Sequence, residues 1–215
     1  YKLDETPIVF TIEKGQEITL TVKAENELIT GSVELIKVDK DDNKLTLEGA
    51  VFALQTDYGE TIQEELTTDA EGRITVDNLK PGNYQFIETK APDYYQLDAK
   101  PIAFEIVKSQ KEAFVVMVEN ELIRGEVVLT KVDIDNENAP LVEVEFSLQT
   151  ADGKVISEGL KTNDEGEIFV NNLKPGDYQF IEMAAPFGYD LDPTPINFTI
   201  EKAKTVDDVK QIEVT

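Results

Sequence analysis

Blocks of sequence return along this chain at a constant shift of 94 residues. Asn26-Glu27-Leu28-Ile29 recurs as Asn120-Glu121-Leu122-Ile123, and Asn78-Leu79-Lys80-Pro81-Gly82 as Asn172-Leu173-Lys174-Pro175-Gly176. Tyr84-Gln85-Phe86-Ile87-Glu88 returns as Tyr178-Gln179-Phe180-Ile181-Glu182, while Tyr1, Tyr95 and Tyr189 keep the same step, as do Phe10, Phe104 and Phe198. Fixed-period similarity makes each copy one folding unit. A period of 94 is too long for a solenoid coil and suits a small self-sufficient domain. It divides the 215 residues into three parts: 1–26, the tail of one repeat; 27–120, a complete repeat; and 121–215, another that stops near its end. The spacers, Glu27 to Gly31 and Glu121 to Gly125, are short and not Gly/Ser-rich, which predicts stiff junctions.

Within a unit the pattern is that of strands. Ile18-Thr19-Leu20-Thr21-Val22-Lys23-Ala24-Glu25 alternates apolar and polar residues, which predicts a half-buried strand. Asp69-Ala70-Glu71-Gly72 and Asn163-Asp164-Glu165-Gly166 read as turns. In Lys80-Pro81-Gly82 the Pro fixes φ and the Gly is expected to supply the positive φ of a type II turn. No stretch makes a long amphipathic helix. About seven short strands per unit predict an all-β chain of tandem Greek-key β-sandwiches, Ig-like or prealbumin-like.

Composition narrows the chemistry. The chain has no Cys and no His, which removes disulfides, thiol nucleophiles, Ser-His-Asp triads and imidazole metal sites. Its 44 acidic residues against 20 basic ones give a formal charge of −24, unsuited to nucleic acid or to anionic membrane surfaces. No apolar run approaches the length of a membrane span, and Tyr1-Lys2-Leu3-Asp4 does not open a signal peptide. A hydrophobic share of 40% still allows folded cores.

Strand parity places three polar residues on apolar faces. Val33 and Leu35 share a face with Lys37, Tyr84 and Phe86 with Glu88, and Phe114, Val116 and Val118 with Asn120. The second unit repeats this with Val127, Leu129 and Lys131, then Tyr178, Phe180 and Glu182; the tail runs Ile18, Leu20, Val22, Ala24 to Asn26. Two readings remain open on parity. Strand ends lie at a rim, where Lys and Glu snorkel to water and Asn caps a turn. Alternatively, a desolvated Lys amine attacks the Asn side-chain carbonyl, a protonated Glu polarises that carbonyl and shuttles protons, and ammonia leaves. The second reaction occurs once per domain and makes no enzyme of the chain.

Lys37-Val38-Asp39, Gly49-Ala50-Val51-Phe52, Gly72, Leu79-Lys80-Pro81-Gly82-Asn83-Tyr84, Glu88-Thr89-Lys90-Ala91-Pro92 and Asn120 together resemble the Cna protein B-type (SpaA-like pilin) domain. The resemblance covers essentially the whole chain. It implies a β-sandwich from a Gram-positive cell-surface stalk or pilin shaft, extracellular and attached to the cell wall. Its partners would be neighbouring repeats of the same surface protein. It further implies an intramolecular Lys–Asn isopeptide bond, here Lys37 to Asn120 with Glu88 promoting it. In the next unit Lys131 and Glu182 match the pattern. Position 214 is Val, and with a two-residue insertion near Val206-Asp207-Asp208 the expected Asn falls just beyond Thr215. Asn26 correspondingly has its Lys before Tyr1. Gly49-Ala50 becomes Glu143-Val144 in the second unit, a modest departure.

Other readings are weaker. Asp39-Lys40-Asp41-Asp42-Asn43 and Asp133-Ile134-Asp135-Asn136-Glu137 place carboxylates in turn-like loops. In the second, Asn138 and Val144 stand where an EF-hand has Gly and Glu, which favours a solvated turn over weak Ca²⁺ binding. No cofactor is expected. Carboxylate pairs for glycoside hydrolysis could be drawn from 44 acids almost at will. The rival function is a ligand-binding adhesin module, contacting a host matrix protein or sugar through loops at one end of the sandwich.

Overall fold

The structure, a computed structural model, describes residues 1–209 and the backbone of 211–214. Strands dominate wherever the sequence alternates. The first repeat contains β1 (Gly31–Asp39), β2 (Val51–Thr56), β3 (Thr61–Thr67), β4 (Arg73–Leu79), β5 (Gly82–Lys90), β6 (Ile102–Ile106) and β7 (Phe114–Asn120). They form a three-stranded sheet in the order β4-β1-β7 and a four-stranded sheet in the order β3-β2-β5-β6. Every second residue of β1 and β5 points inward, and Val33, Leu35, Ile74, Val76, Phe52, Leu54, Phe86, Phe104 and Ile106 fill one core drawn from both sheets. The fold is a sandwich, as the alternation predicts.

The second repeat has β8 (Gly125–Thr130), β9 (Val132–Asp133), β10 (Ala139–Pro140), β11 (Glu145–Thr150), β12 (Val155–Lys161), β13 (Glu167–Leu173), β14 (Gly176–Ala184), β15 (Ile196–Ile200) and β16 (Gln211–Val214). Its sheets, β13-β8-β16 and β12-β11-β14-β15, repeat the first pair, with β9-β10 as a small added hairpin. Ring stacking repeats as well. Phe104 lies 5.7 Å from Tyr84 and 5.1 Å from Phe86; Phe198 lies 5.6 Å from Tyr178 and 5.3 Å from Phe180. Among the described residues the only helix is one 3-10 turn at Val206–Asp208, and none is long and apolar enough to cross a membrane. The chain divides into two compact units: Tyr1–Ala91 with Leu97–Glu119, and Pro92–Gln96 with Asn120–Thr215.

Two local expectations are corrected. Gly82 does not take a positive φ; the left-handed residues at that corner are Asn78 (φ 60°) and, in the second repeat, Asn172 (φ 61°). Asn tolerates this conformation because its short side chain bonds locally. The spacing from Pro to Tyr is the same in both repeats. The Tyr84 hydroxyl donates to the Lys80 carbonyl at 2.7 Å, and Tyr178 does the same to Lys174 at 2.9 Å, closing the β4–β5 and β13–β14 corners.

The second correction concerns residues 18–25, which form no strand. The tail turns back at Glu13–Gln16, and Leu20 and Val22 remain 44% exposed. An alternating face becomes a strand only beside another strand and over a core, and none of the described residues supplies either to this segment.

Candidate functional site

β1 is the central strand of its sheet, and its inward face ends on Lys37, whose side chain is 0% exposed. β5 is an inner strand of the facing sheet; Glu88 lies opposite Phe52 in the β2–β5 ladder, and its side chain is 1% exposed. The two sheets bring Lys37 Nζ within 3.6 Å of Glu88 Oε1. The Phe52 ring flanks the amine, its centroid 5.9 Å from Nζ. Asn120 ends β7, the strand beside β1, and is 2% exposed. Each of these three residues is thus buried on the apolar face that parity assigned to it, not held at a wet rim.

Local structure fixes the lysine's backbone. The Lys37 N–H donates to the Gly72 carbonyl at 2.7 Å, and the Lys37 carbonyl accepts from Leu47 N–H at 2.9 Å. Gly72 sits at φ +72°, and a Cβ there would lie 2.7 Å from the Lys37 carbonyl oxygen. Only glycine fits both demands. Asp69 forms the turn before it, its carboxylate accepting the Glu71 and Arg73 N–H groups at 3.1 and 2.7 Å. Gly166 stands against Lys131 in the same way, also at 2.7 Å.

The electrostatics follow from burial. Desolvation pushes the Lys37 ammonium down from its ordinary value to about 8, against the opposing pull of Glu88 and, more weakly, of Asp98 and Glu119. A buried amine so perturbed loses its proton far more readily than a surface lysine. That is the property a nitrogen nucleophile needs.

The second repeat forms the same pair in a wetter setting. Lys131 Nζ lies 3.0 Å from Glu182 Oε2, but the Lys131 side chain is 26% exposed while Glu182 is 3% exposed. β16 runs parallel to β8 with Ile212 opposite Val127 and Val214 opposite Leu129. Which faces the Ile212 and Val214 side chains take lies outside the described residues. The position two beyond Val214 is past the end of the sequence. Asn26 is exposed, and its Nδ2 donates to the Lys2 carbonyl at 3.1 Å.

Sequence reasoning missed a segment that holds the site from outside. The Asp98 N–H donates to Glu88 Oε2 at 2.9 Å, and the Asn120 side-chain amide donates to the Gln96 carbonyl. It also missed Thr68 and Thr162, buried hydroxyls that donate to Leu47 and Leu141 carbonyls at 2.8 and 2.7 Å. Main-chain donors and acceptors carry no residue identity, so no pattern could have announced the first pair.

The acidic loops use their carboxylates internally. Asp39 Oδ1 accepts the Asp41 and Asp42 N–H groups at 2.6 and 2.9 Å, while Asp133 accepts Asp135 N–H at 3.0 Å and the Tyr189 hydroxyl at 2.7 Å.

Comparison with known proteins bears on the fold and family. No curated protein matches the chain. Among solved structures, the TIE protein of Bacillus anthracis is similar at 29% identity and a TM-score of 0.53, over 87% of this chain and 34% of that one. This chain therefore spans about a third of that protein's length. A streptococcal ancillary pilin is 27% identical over 88% of this chain and 63% of its own, with a TM-score of 0.40. BcpA, the major pilin subunit of Bacillus cereus, is 18% identical over 87% and 99%, with a TM-score of 0.40. The SpaA prealbumin-like fold domain matches twice, over residues 31–121 and 125–213, which together span most of the sequence. The chain therefore belongs to the SpaA prealbumin-like fold domain family.

Proposed function

We propose that this chain is a structural stalk or shaft segment of a Gram-positive cell-surface protein, stiffened by an isopeptide bond formed within residues 27–120. The observation that carries this reading is the pair of Lys37 and Glu88, 3.6 Å apart and withdrawn from water, with the Lys37 ammonium pushed down to about 8. An ion pair so buried is poor as a stabilising device, because desolvation offsets most of its attraction. As a reactant it has a purpose.

The reaction balances within the site. A proton passes from Lys37 Nζ to the Glu88 carboxylate, leaving a neutral amine beside a carboxylic acid. The amine attacks Asn120 Cγ while the acid donates to Oδ1. Collapse breaks the Cγ–Nδ2 bond: the second Nζ proton travels through Glu88 to the departing nitrogen, Oδ1 returns its proton to Glu88, and ammonia leaves. Glu88 finishes holding the proton that began on Lys37, and one amide has replaced another. No external reagent is consumed.

The bond would join residues 83 apart, in the first and last strands of the unit. Tension entering along β7 would then pass into β1 through a covalent link. A chain without Cys obtains in this way a staple that reduction cannot open. Family membership supports the surface role, with neighbouring repeats as partners. Intact mass tests the proposal: the wild-type chain is expected one ammonia lighter than its sequence mass, and Glu88→Ala at the sequence mass. A wild-type chain at its full sequence mass sinks it.

A further inference from the structure

Two main-chain groups, two residues apart, touch the two side chains on which the proposed reaction depends. The Asp98 N–H donates to Glu88 Oε2 at 2.9 Å, and the Gln96 carbonyl accepts from Asn120 Nδ2. We propose that Gln96–Asp98 is a positioning clamp that selects the reactive orientation of both the promoting carboxyl and the acceptor carboxamide. This inference rests on the crosslinking reading above and deepens it.

The clamp acts by hydrogen-bond polarity. A carboxamide has nearly the same shape in either of its two flipped orientations, so packing alone selects between them poorly. A carbonyl accepts and cannot donate; against Gln96, Asn120 must therefore present Nδ2. Its Oδ1 then faces away from the loop, and the nitrogen destined to leave is the one already held. The same logic sorts the carboxyl oxygens. Oε2 receives the Asp98 N–H and is thereby kept as an acceptor. A proton arriving on Glu88 is directed to Oε1, the oxygen 3.6 Å from Lys37 Nζ. Acid, nucleophile and leaving group are each assigned to one atom.

The loop is itself pinned by the chain that follows the acceptor. Gln96 N–H donates to the Glu121 carbonyl at 2.8 Å, and Ile123 N–H to the Tyr94 carbonyl at 2.8 Å. The second repeat offers a contrast. There Asp190 stands in place of Gln96 and Asp192 matches Asp98 at the 94-residue step, and a Glu182 carboxylate oxygen lies 3.0 Å from Lys131 Nζ. Among the described residues no hydrogen bond joins Asp192 N–H to Glu182, although Asp192 Oδ1 accepts Thr194 N–H at 3.0 Å just as Asp98 Oδ1 accepts Lys100 N–H at 3.2 Å.

Proline at position 98 removes the donor, and proline at 99 serves as the control for a stiffened loop. Protein kept unfolded from synthesis is refolded, and ammonia loss is followed by intact mass across pH. Asp98→Pro is expected to slow the loss by about 10–100-fold, the worth of a hydrogen bond to an ionisable group, with a changed pH profile. Ala99→Pro is expected to stay within about threefold of wild type. Asp98→Pro reacting as fast as Ala99→Pro overturns the clamp and leaves the crosslink standing. A wild-type chain that never loses ammonia overturns both.

A second measurement does not depend on the proline variants folding. In Lys37→Met/Asp98→Asn, which cannot crosslink, the residue-98 amide proton should shift with pH in one step, and the step should vanish on adding Glu88→Ala. A flat residue-98 amide removes the clamp.

Discussion

At the residue scale, Lys37 and Lys131 show how one motif yields two chemical environments. Both sit beside a buried glutamate, yet Lys37 is 0% exposed and Lys131 26%. Burial pushes the Lys37 ammonium down to about 8. This predicts a pH profile for the crosslink. The reactive pair needs one shared proton: without it the carboxyl has nothing to donate to Asn120 Oδ1. That proton is retained below about pH 8 and lost above it. Ammonia loss from refolding protein should therefore hold level near neutral pH and fall about tenfold per unit beyond roughly pH 9. A rate that keeps climbing through pH 10 would mean that the bare amine suffices, and would remove the acid role from Glu88.

At the scale of elements, the turns matter as much as the strands they join. Gly72 and Gly59 both have positive φ, at +72° and +85°, but a Cβ at 59 meets open space whereas one at 72 meets the Lys37 carbonyl. Gly59→Ala should cost about 1 kcal/mol, the ordinary penalty of a left-handed alanine. Gly72→Ala should cost more, roughly 2–4 kcal/mol, because β1 must shift as well, and it should slow crosslinking where Gly59→Ala does not. Chemical denaturation of uncrosslinked Asn120→Ala backgrounds would compare the two costs; equal values would show that the close approach carries no strain.

Elements also show where reading a sequence by period succeeds and fails. β1, β5 and β7 bury alternate residues, so parity alone put Lys37, Glu88 and Asn120 on inward faces. Residues 18–25 alternate just as well and are no strand, because period two describes a face and not what covers it. The Pro81-Gly82 corner misled for a different reason. Gly permits a positive φ without requiring one, and the turn takes it at Asn78 instead.

At the scale of the whole molecule, the consequence is mechanical and thermal. A bond closing a loop of 83 residues is worth about 4–5 kcal/mol by the chain-entropy estimate. Native domains are stable by only about 5–15 kcal/mol, so the increment is large. Asn120→Ala is the cleanest variant to show it, since Lys37 and Glu88 keep each other; Glu88→Ala also strands a buried amine. Asn120→Ala should lower the melting temperature of the first repeat by roughly 15–30 °C and leave that of the second in place. Calorimetry resolving the two transitions would check this. A first transition that does not move would deny the bond its stabilising role.

The sequence by itself determined the 94-residue period, the all-β class and the inward faces of Lys37, Glu88 and Asn120. These are periodic properties, written one residue at a time. Only the tertiary structure decided how deeply each residue is buried, that Lys37 and Glu88 from facing sheets meet at 3.6 Å, and that Asp98 and Gln96 offer main-chain partners to Glu88 and Asn120. Depth depends on what lies across the core, and a backbone N–H or carbonyl is the same in nearly every residue. Neither is legible until distant segments have packed together.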